Sequence, residues 1–151
     1  MRAVIQRVKN ASVCVDGKKV GECNSGYMIL FCAVESDQPE DIELLAKKVS
    51  ALRVFCDSQG KMNLSILDVG GEVLCVSQFT LAADTKKGNR PSFTNACEPV
   101  RAQEYYDRFC ESLKALGVGR VEKGIFGADM QVSLVNDGPV TIMLDTETWK
   151  R

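Results

Sequence analysis

One continuous apolar run and a second, mostly apolar segment constrain the fold of this chain more than any other feature. The first runs from Tyr27 to Val34, directly after Gly26, and contains no charged residue. An apolar run of that length without alternation is typical of a strand buried on both faces. The second, from Glu72 to Leu81, is entered through Gly70-Gly71 and predicts another buried strand.

Two amphipathic segments lie between the strands. One runs from Pro39 to about Leu52, and the other from Pro99 to about Leu116. Each places its apolar residues at the three- and four-residue spacing that gives a helix one buried face. Asp37 precedes the first helix and is a residue type that caps helices. Pro39 then falls in the first turn, where a missing N–H costs little.

Further strands are predicted at both ends of the chain. The first fifteen residues alternate in places, and Asp16-Gly17 then predicts a tight hairpin turn. The late strands are expected at 121–126, 130–135 and 140–144, with a turn at 136–139 between the last two. The order of strands, helix, strands, helix, strands predicts a mixed α/β fold. With 151 residues, positions 1–151 are expected to form a single domain.

The chain contains no histidine. Hydrolases of the Ser-His-Asp and Cys-His types are therefore excluded, as are metal sites rich in histidine. The carboxylates are scattered without the spacing of metal ligands, so neither a metal nor another cofactor is expected. Any hydrolysis would need a different base, backbone groups, or help from the substrate itself.

Composition limits the cellular compartments and the kinds of binding partner that this protein can have. Nineteen Lys and Arg against twenty Asp and Glu give a net charge of −1, which excludes nucleic-acid binding by bulk positive charge. No apolar run is long enough to span a membrane, and the N-terminus lacks the pattern of a signal peptide. Seven cysteines without a Cys-x-x-Cys pair favour reduced thiols. We therefore expect a cytoplasmic protein without a membrane partner.

Polar residues at the end of the second buried strand form the first candidate site. The sequence Ser-Gln-Phe-Thr-Leu at 77–81 leads from that strand into a poorly patterned segment, 82–96. Polar side chains at the end of a buried strand, followed by a loop, are a common way to build a site in α/β proteins. The alternative is that these side chains only satisfy backbone groups at the strand end. The spacing alone does not decide between the two interpretations.

Three other features have a simple structural explanation beside a functional one. Gly138-Pro139 fits a plain turn, although glycine and proline together can also aim two carbonyls outward. Cys97 lies next to the loop, but without a histidine to lower its pKa an ordinary thiol is the favoured interpretation. The basic residues of the loop fit a solvated surface or a contact with RNA phosphates; these are Lys86, Lys87 and Arg90.

Several segments together resemble the D-aminoacyl-tRNA deacylases, the D-tyrosyl-tRNA deacylase family. The central segments are Ser-Gln-Phe-Thr-Leu at 77–81, Phe-Gly-Ala-Asp-Met at 126–130 and Asn-Asp-Gly-Pro-Val-Thr at 136–141. The opening segment 1–8 and the loop segment Lys-Lys-Gly-Asn-Arg-Pro-Ser-Phe at 86–93 add to the resemblance. It covers essentially the whole chain.

The resemblance implies a cytosolic homodimer of three-layer α/β fold that hydrolyses the ester between a D-amino acid and tRNA. The pocket of one subunit would be lined by Ser77, Gln78, Phe79 and Thr80. A cis Gly138-Pro139 element would enter from the other subunit, braced by Arg7. The terminal adenosine of the tRNA would be seated by Phe126, Gly127 and Met130.

Such a site would need no histidine, because an aminoacyl ester is already activated. Backbone N–H groups at Phe79 and Thr80 could stabilise the oxyanion, while a ribose hydroxyl of the tRNA positions the attacking water. A covalent nucleophile at Thr80 is the competing mechanism. The carbonyls of Gly138 and Pro139 would hold the α-ammonium so that an L side chain collides, which predicts hydrolysis of glycyl-tRNA as well.

Two further classes of function remain open at this point. A thiol hydrolase or redox protein would use Cys97, and alkylation of the free thiols would then abolish activity. A dimeric RNA-binding module without ester turnover would rest on the basic residues of the loop. Release of D-tyrosine from charged tRNA, with the L form as control, distinguishes both from the deacylase.

Overall fold

The computed structural model describes residues 1–150, which fold around one mixed sheet. The strands are β1 (Arg2–Val15), β2 (Lys18–Cys23), β3 (Gly26–Cys32), β4 (Phe55–Cys56), β5 (Met62–Leu64), β6 (Glu72–Ser77), β7 (Val121–Lys123) and β8 (Gln131–Asp145). The helices are α1 (Pro39–Ala51), the single turn α2 (Ile66–Val69) and α3 (Pro99–Ala115), with 3-10 turns at Phe79–Ala82 and Thr146–Trp149. The predicted α/β fold with two main helices is confirmed.

The main sheet has the order β2-β1-β3-β6-β7. Strands β3 and β2 pair with the first and second halves of one edge of β1, and β8 pairs along its opposite edge. Strands β3, β6 and β7 are parallel to one another, whereas β1 is antiparallel to β2, β3 and β8. Because parallel strands end on the same side, the last residues of β3 and β6 lie together, with Phe31 opposite Ser77. This shared edge positions the candidate site.

Both faces of β3 are covered, as its continuous apolar sequence requires. On one face, Tyr27, Ile29 and Phe31 belong to the core that includes the inner sides of α1 and α3. On the other face, Met28 packs with residues of β1, β2, β6 and β8, because the sheet curls over itself. The helices thus cover one face of β3, and residues of the same sheet cover the other.

Helix α3 is anchored on the sheet by one polar and one aromatic contact. The buried Tyr106 hydroxyl donates to the carbonyl of Cys75 in β6, at 2.6 Å. The ring of Phe109 stacks on Phe31 of β3, with 5.0 Å between centroids. A hydrogen bond of this kind contributes roughly 0.5–1.5 kcal/mol. These contacts hold the middle of α3 against β3 and β6.

The prediction that Asp37 caps α1 is wrong. The helix is capped at Gln38, whose N–H donates to the Asp41 carboxylate at 2.8 Å. The Asp37 carboxylate is instead buried and paired with the Met1 ammonium, and it also accepts from the N–H of Val34 at 2.7 Å. An ammonium 36 residues away along the chain is a partner that local sequence does not indicate.

Two predicted strands are shorter in the structure. The strand expected through Leu81 ends at Ser77. The N–H of Gln78 donates to the carbonyl of Phe31 at 2.7 Å, and β3 ends one residue later, so it offers no further pairing partner. The strand expected to reach Phe126 covers only Val121–Lys123. Within the described residues, no helix is both long and apolar enough to cross a membrane.

Candidate active site

A cavity of about 660 Å³ opens at the shared end of β3 and β6. Its walls come from these two strands, from the start of α3, and from the segment before β8. It brings together six of the ten predicted site residues: Ser77, Gln78, Phe79, Phe126, Gly127 and Met130. Most of the remaining wall is apolar, which is typical of pockets that bind a ring system.

The backbone at Phe79 and Thr80 presents unpaired donors beside this cavity. The 3-10 turn begins at Phe79. The N–H of Leu81 donates to the carbonyl of Gln78 at 3.2 Å, and the N–H of Ala83 donates to the carbonyl of Thr80 at 3.1 Å. The N–H groups of Phe79 and Thr80 precede those bonds and, within residues 1–150, donate to no backbone oxygen. Two adjacent N–H groups are therefore available to an oxygen of a ligand.

The Thr80 hydroxyl contacts an amide rather than a base. Its Oγ1 accepts a hydrogen bond from the side-chain amide of Gln78, a group that cannot take up a proton. Thr80 is exposed and is not part of the cavity wall. The covalent mechanism, which requires activation of this hydroxyl, therefore has no support from the residues around it.

Phe93 lines the cavity, and sequence analysis missed it. Its ring packs edge-on against Phe79, with 5.1 Å between the centroids. The Phe79 ring is 58% exposed, so this aromatic pair stands at the solvent side of the cavity. Phe93 follows Arg90 and Pro91 in the poorly patterned segment, where periodicity carries no signal about side-chain direction.

Two thiols line the cavity, and neither resembles a catalytic nucleophile. Burial raises the pKa of Cys32 to about 11, so its thiol stays protonated at neutral pH. Cys97 is 7% exposed, and its Sγ accepts a hydrogen bond from Nε of Arg101 at 3.0 Å. The other side of Arg101 pairs with Glu35 at 3.0 Å. This arrangement ties the loop to α3, and the group in contact with the Cys97 thiol is a guanidinium rather than a base.

The predicted turn at residues 136–139 is wrong: β8 continues through it as one strand. Asn136 pairs with Val8 and Thr141 with Gln6, so residues 137–140 together face only Arg7 of β1. They form a bulge that contains a cis Gly138-Pro139 peptide. Proline and glycine are the residues that strand bulges tolerate, so the same sequence fits a turn and a bulge equally well.

Arg7 lies directly beneath this bulge. Its Nε donates to the carbonyl of Asp137 at 2.9 Å, and its Nη1 donates to the carbonyl of Val54 at 2.5 Å. The side chain is only 10% exposed. A Cβ built on Gly138 would lie 3.0 Å from Nη2 of Arg7, so guanidinium and bulge are in close contact.

The predicted site residues thus form two separate groups within one chain. One group surrounds the cavity, with Thr80 just outside its wall, whereas Gly138 and Pro139 lie in the bulge with Arg7 beneath them and are absent from the cavity wall. The strand that carries the bulge pairs with β1 alone within the described chain, so its other edge is open. That strand also presents Met143, which is 80% exposed.

Cys, Asp and Glu are the side chains that could hold a metal ion in a chain without histidine. Among residues 1–150, no three Cys, Asp or Glu side chains converge in a way that could hold a metal ion.

Comparison with known proteins identifies the family. The family described as D-Tyr-tRNA(Tyr) deacylase matches residues 4–145. The chain belongs to this family. A D-aminoacyl-tRNA deacylase from Paracoccus denitrificans (strain Pd 1222) is 55% identical over 146 residues, which cover 97% of each protein. The resemblance found in the sequence and the predicted enzyme class, a deacylase, are thereby confirmed.

Two solved structures share the fold. One, titled c-Myc DNA Unwinding Element Binding Protein, has a TM-score of 0.91 and 41% identity, and the match covers 96% of this chain and 98% of that one. Another, titled as a probable eukaryotic D-amino acid tRNA deacylase, has a TM-score of 0.82 and 18% identity, with 95% and 97% covered. At 18% identity the second likeness concerns the fold alone.

Proposed function

We propose that this protein hydrolyses the ester between a D-amino acid, or glycine, and the terminal adenosine of tRNA. The observation that carries the proposal is a largely apolar cavity beside two free backbone N–H groups, at Phe79 and Thr80, in a chain without histidine. This combination suits an activated ester, which needs orientation and oxyanion stabilisation more than it needs a strong protein base.

The terminal adenosine occupies the cavity in this proposal. Phe126, Gly127 and Met130 form one wall, and Phe93 contributes from the loop. Aromatic and apolar groups suit the faces of a nucleobase, and the cavity volume of about 660 Å³ is in the usual range for ligand pockets. The base then fixes the ribose, and the ribose places the ester at the cavity mouth beside Phe79.

Hydrolysis proceeds by addition of water to the ester carbonyl. The N–H groups of Phe79 and Thr80 donate to the oxyanion as it forms, and Ser77 and Gln78 line the approach. The free hydroxyl of the same ribose orients the attacking water. Collapse of the intermediate releases the amino acid as a carboxylate; of the two protons of the attacking water, one leaves with the ribose oxygen and the other passes to solvent.

We infer that the second half of the site comes from a second copy of the chain. Gly138-Pro139 belongs to the predicted site but lies outside the cavity wall of its own chain. The open edge of β8 and the exposed Met143 next to it are typical of a surface covered in a dimer. In this homodimer, Arg7 braces the bulge that enters the partner's cavity.

Selection for D-amino acids follows from this arrangement. The carbonyls of Gly138 and Pro139 accept hydrogen bonds from the α-ammonium and so fix the direction of the α-substituent. A D side chain then points to solvent, whereas an L side chain meets the backbone of the bulge. Because exclusion acts through a clash, its selectivity can exceed the ~1–3 kcal/mol that a methylene contributes in an apolar pocket.

The location is proposed from the thiols. All seven cysteines are free, and five of them are buried. Free thiols in this number suit a reducing compartment, so we place the protein in the cytoplasm.

The test is release of D-tyrosine from D-tyrosyl-tRNA, with L-tyrosyl-tRNA as control. We expect turnover of the D form only, and turnover of neither form would contradict the proposal. The same assay on Cys97→Ser distinguishes the thiol alternative, since retained activity excludes it. Substitution is a better probe than alkylation, because a group attached to Cys97 would fill the cavity that this thiol lines.

Thr80→Ala is expected to slow turnover without abolishing it. Loss of one oxyanion donor typically costs about 10²–10³ in rate, and here the backbone donor stays while only the hydroxyl is lost, so the cost should be smaller. The measurement is single-turnover hydrolysis of D-tyrosyl-tRNA, with acid quench to trap any acyl-enzyme. A covalent ester on Thr80 of the unmodified protein would show that the hydroxyl is the nucleophile.

A further inference from the structure

The loop between Asp84 and Ser92 is a closed, positively charged element beside the cavity. The N–H of Asp84 donates to the carbonyl of Ser92 at 2.8 Å, and the reverse bond measures 3.0 Å, so the two ends are clasped. All residues from 85 to 91 are exposed. The next residue after the clasp is Phe93, whose ring lines the cavity and packs on Phe79.

The charges of this loop are not used within the chain. In the part that the structure describes, none of its three basic side chains, Lys86, Lys87 and Arg90, forms an ion pair. The nearby Asp84 carboxylate is engaged as an acceptor for the N–H of Lys86 at 2.9 Å. Three unpaired cations on a clasped loop, in a protein of net charge −1, form a locally positive surface.

We propose that this loop binds the phosphates of the single-stranded 3′ end of the tRNA. The proposal rests on the proposed function, which places the terminal adenosine in the cavity. The phosphates that precede this nucleoside must then pass the solvent side of the cavity, where Phe79 and Phe93 stand and where the loop begins. Phosphate contacts supply affinity without reading sequence, so the loop serves any tRNA that carries a suitable ester.

The experiment separates phosphate binding from chemistry by using two substrates. One is D-aminoacyl-tRNA, and the other is D-aminoacyl-adenosine, which has the same ester and nucleoside but no phosphate. The variant carries Lys86→Gln, Lys87→Gln and Arg90→Gln. The control removes the same charge from exposed lysines without ion pairs elsewhere on the surface; it carries Lys18→Gln, Lys47→Gln and Lys61→Gln.

We expect the loop variant to raise KM for D-aminoacyl-tRNA by about ten- to a hundredfold, with kcat unchanged. Its kcat/KM on D-aminoacyl-adenosine should equal that of the wild type. The slope of log(kcat/KM) for tRNA against log[salt] should become shallower by about 2, since single strands contribute about 0.7 per phosphate contact. The control variant should match the wild type in all three measurements.

Other results would overturn the proposal in distinguishable ways. An unchanged KM for tRNA in the loop variant would show that the loop does not contact phosphates. An equal loss on both substrates would show that the loop shapes the cavity instead. A control variant as impaired as the loop variant would assign the effect to overall charge. If the wild type hydrolysed no D-aminoacyl-tRNA, the proposed function itself would fail, and the loop proposal with it.

Discussion

Gly138→Ala should reduce the hydrolysis of D-aminoacyl-tRNA by about a hundredfold or more, because misplacement of a positioning group by about 1 Å can cost that much in rate. Gly138 has φ +133°, a conformation that alanine rarely adopts. The added Cβ would lie 3.0 Å from both Arg7 Nη2 and Val140 Cγ2. The bulge must therefore shift, and the two carbonyls proposed to hold the α-ammonium shift with it.

Gly60→Ala is the matched control. Gly60 also has a positive φ, +77°, but nothing lies within 4 Å of an added Cβ, and it is remote from the cavity wall. The backbone strain costs on the order of 1–3 kcal/mol at either position. Both variants should therefore lose thermal stability, Gly138→Ala by more because its Cβ also meets Arg7 and Val140, while only Gly138→Ala loses activity. Equal activity in the two variants would remove Gly138 from the site.

Mixed dimers test whether the bulge acts on the partner. Ala102 lines the cavity, so Ala102→Trp fills it, whereas Gly138→Ala leaves it open. Neither homodimer should be active. Random co-assembly makes about half of the dimers mixed, each with one intact site, so about a quarter of wild-type activity should return. No recovery in verified mixed dimers would place the whole site within one chain.

Glycyl-tRNA and D-alanyl-tRNA should both be hydrolysed, whereas L-alanyl-tRNA should be essentially spared. Rejection through Gly138 and Pro139 depends on an L side chain that collides with the bulge. Glycine has only hydrogen there, and its α-ammonium can reach both carbonyls. L-alanine adds one methyl group, yet a clash should slow it by more than the ~10–200-fold that a methylene contributes in an apolar pocket.

The measurement is the deacylation rate of the three aminoacyl-tRNAs at one enzyme concentration. The comparison is sensitive because a loosely built pocket would admit L-alanine together with glycine. If glycine is spared as completely as L-alanine, the site must recognise the D side chain directly. Exclusion by the bulge would then be the wrong explanation, although the deacylase activity itself would stand.

Sequence patterns anticipated most elements and failed where long-range partners decide. The hairpin at Asp16-Gly17 and the two main helices follow from turn chemistry and periodicity, which act over a few residues. The cap predicted at Asp37 failed because its real partner is the Met1 ammonium. The turn predicted at residues 136–139 failed because a single strand, β1, pairs with both sides of the bulge.

In the candidate site too, some residues could be predicted from the sequence and others depend on long-range contacts. The motif at 77–81 and the segment 126–130 pointed to the residues that meet at the cavity, since the family pattern marks them directly. Phe93 was missed, because its direction depends on the clasp between Asp84 and Ser92. The resemblance to the family named Arg7 as the residue that braces Gly138-Pro139. Its contact with the bulge rests on a pairing of strands more than 120 residues apart, which no local pattern encodes.

The sequence by itself therefore determined the two main helices, the buried strands, the family, and the absence of a histidine base. Each depends on residue identity or on spacing over a few positions. Only the tertiary structure decided that the cavity and the Gly138-Pro139 bulge lie apart in one chain, and that Phe79 and Thr80 offer free N–H groups. These features depend on where strands end and which edges stay open. Sheet pairing between distant segments decides both.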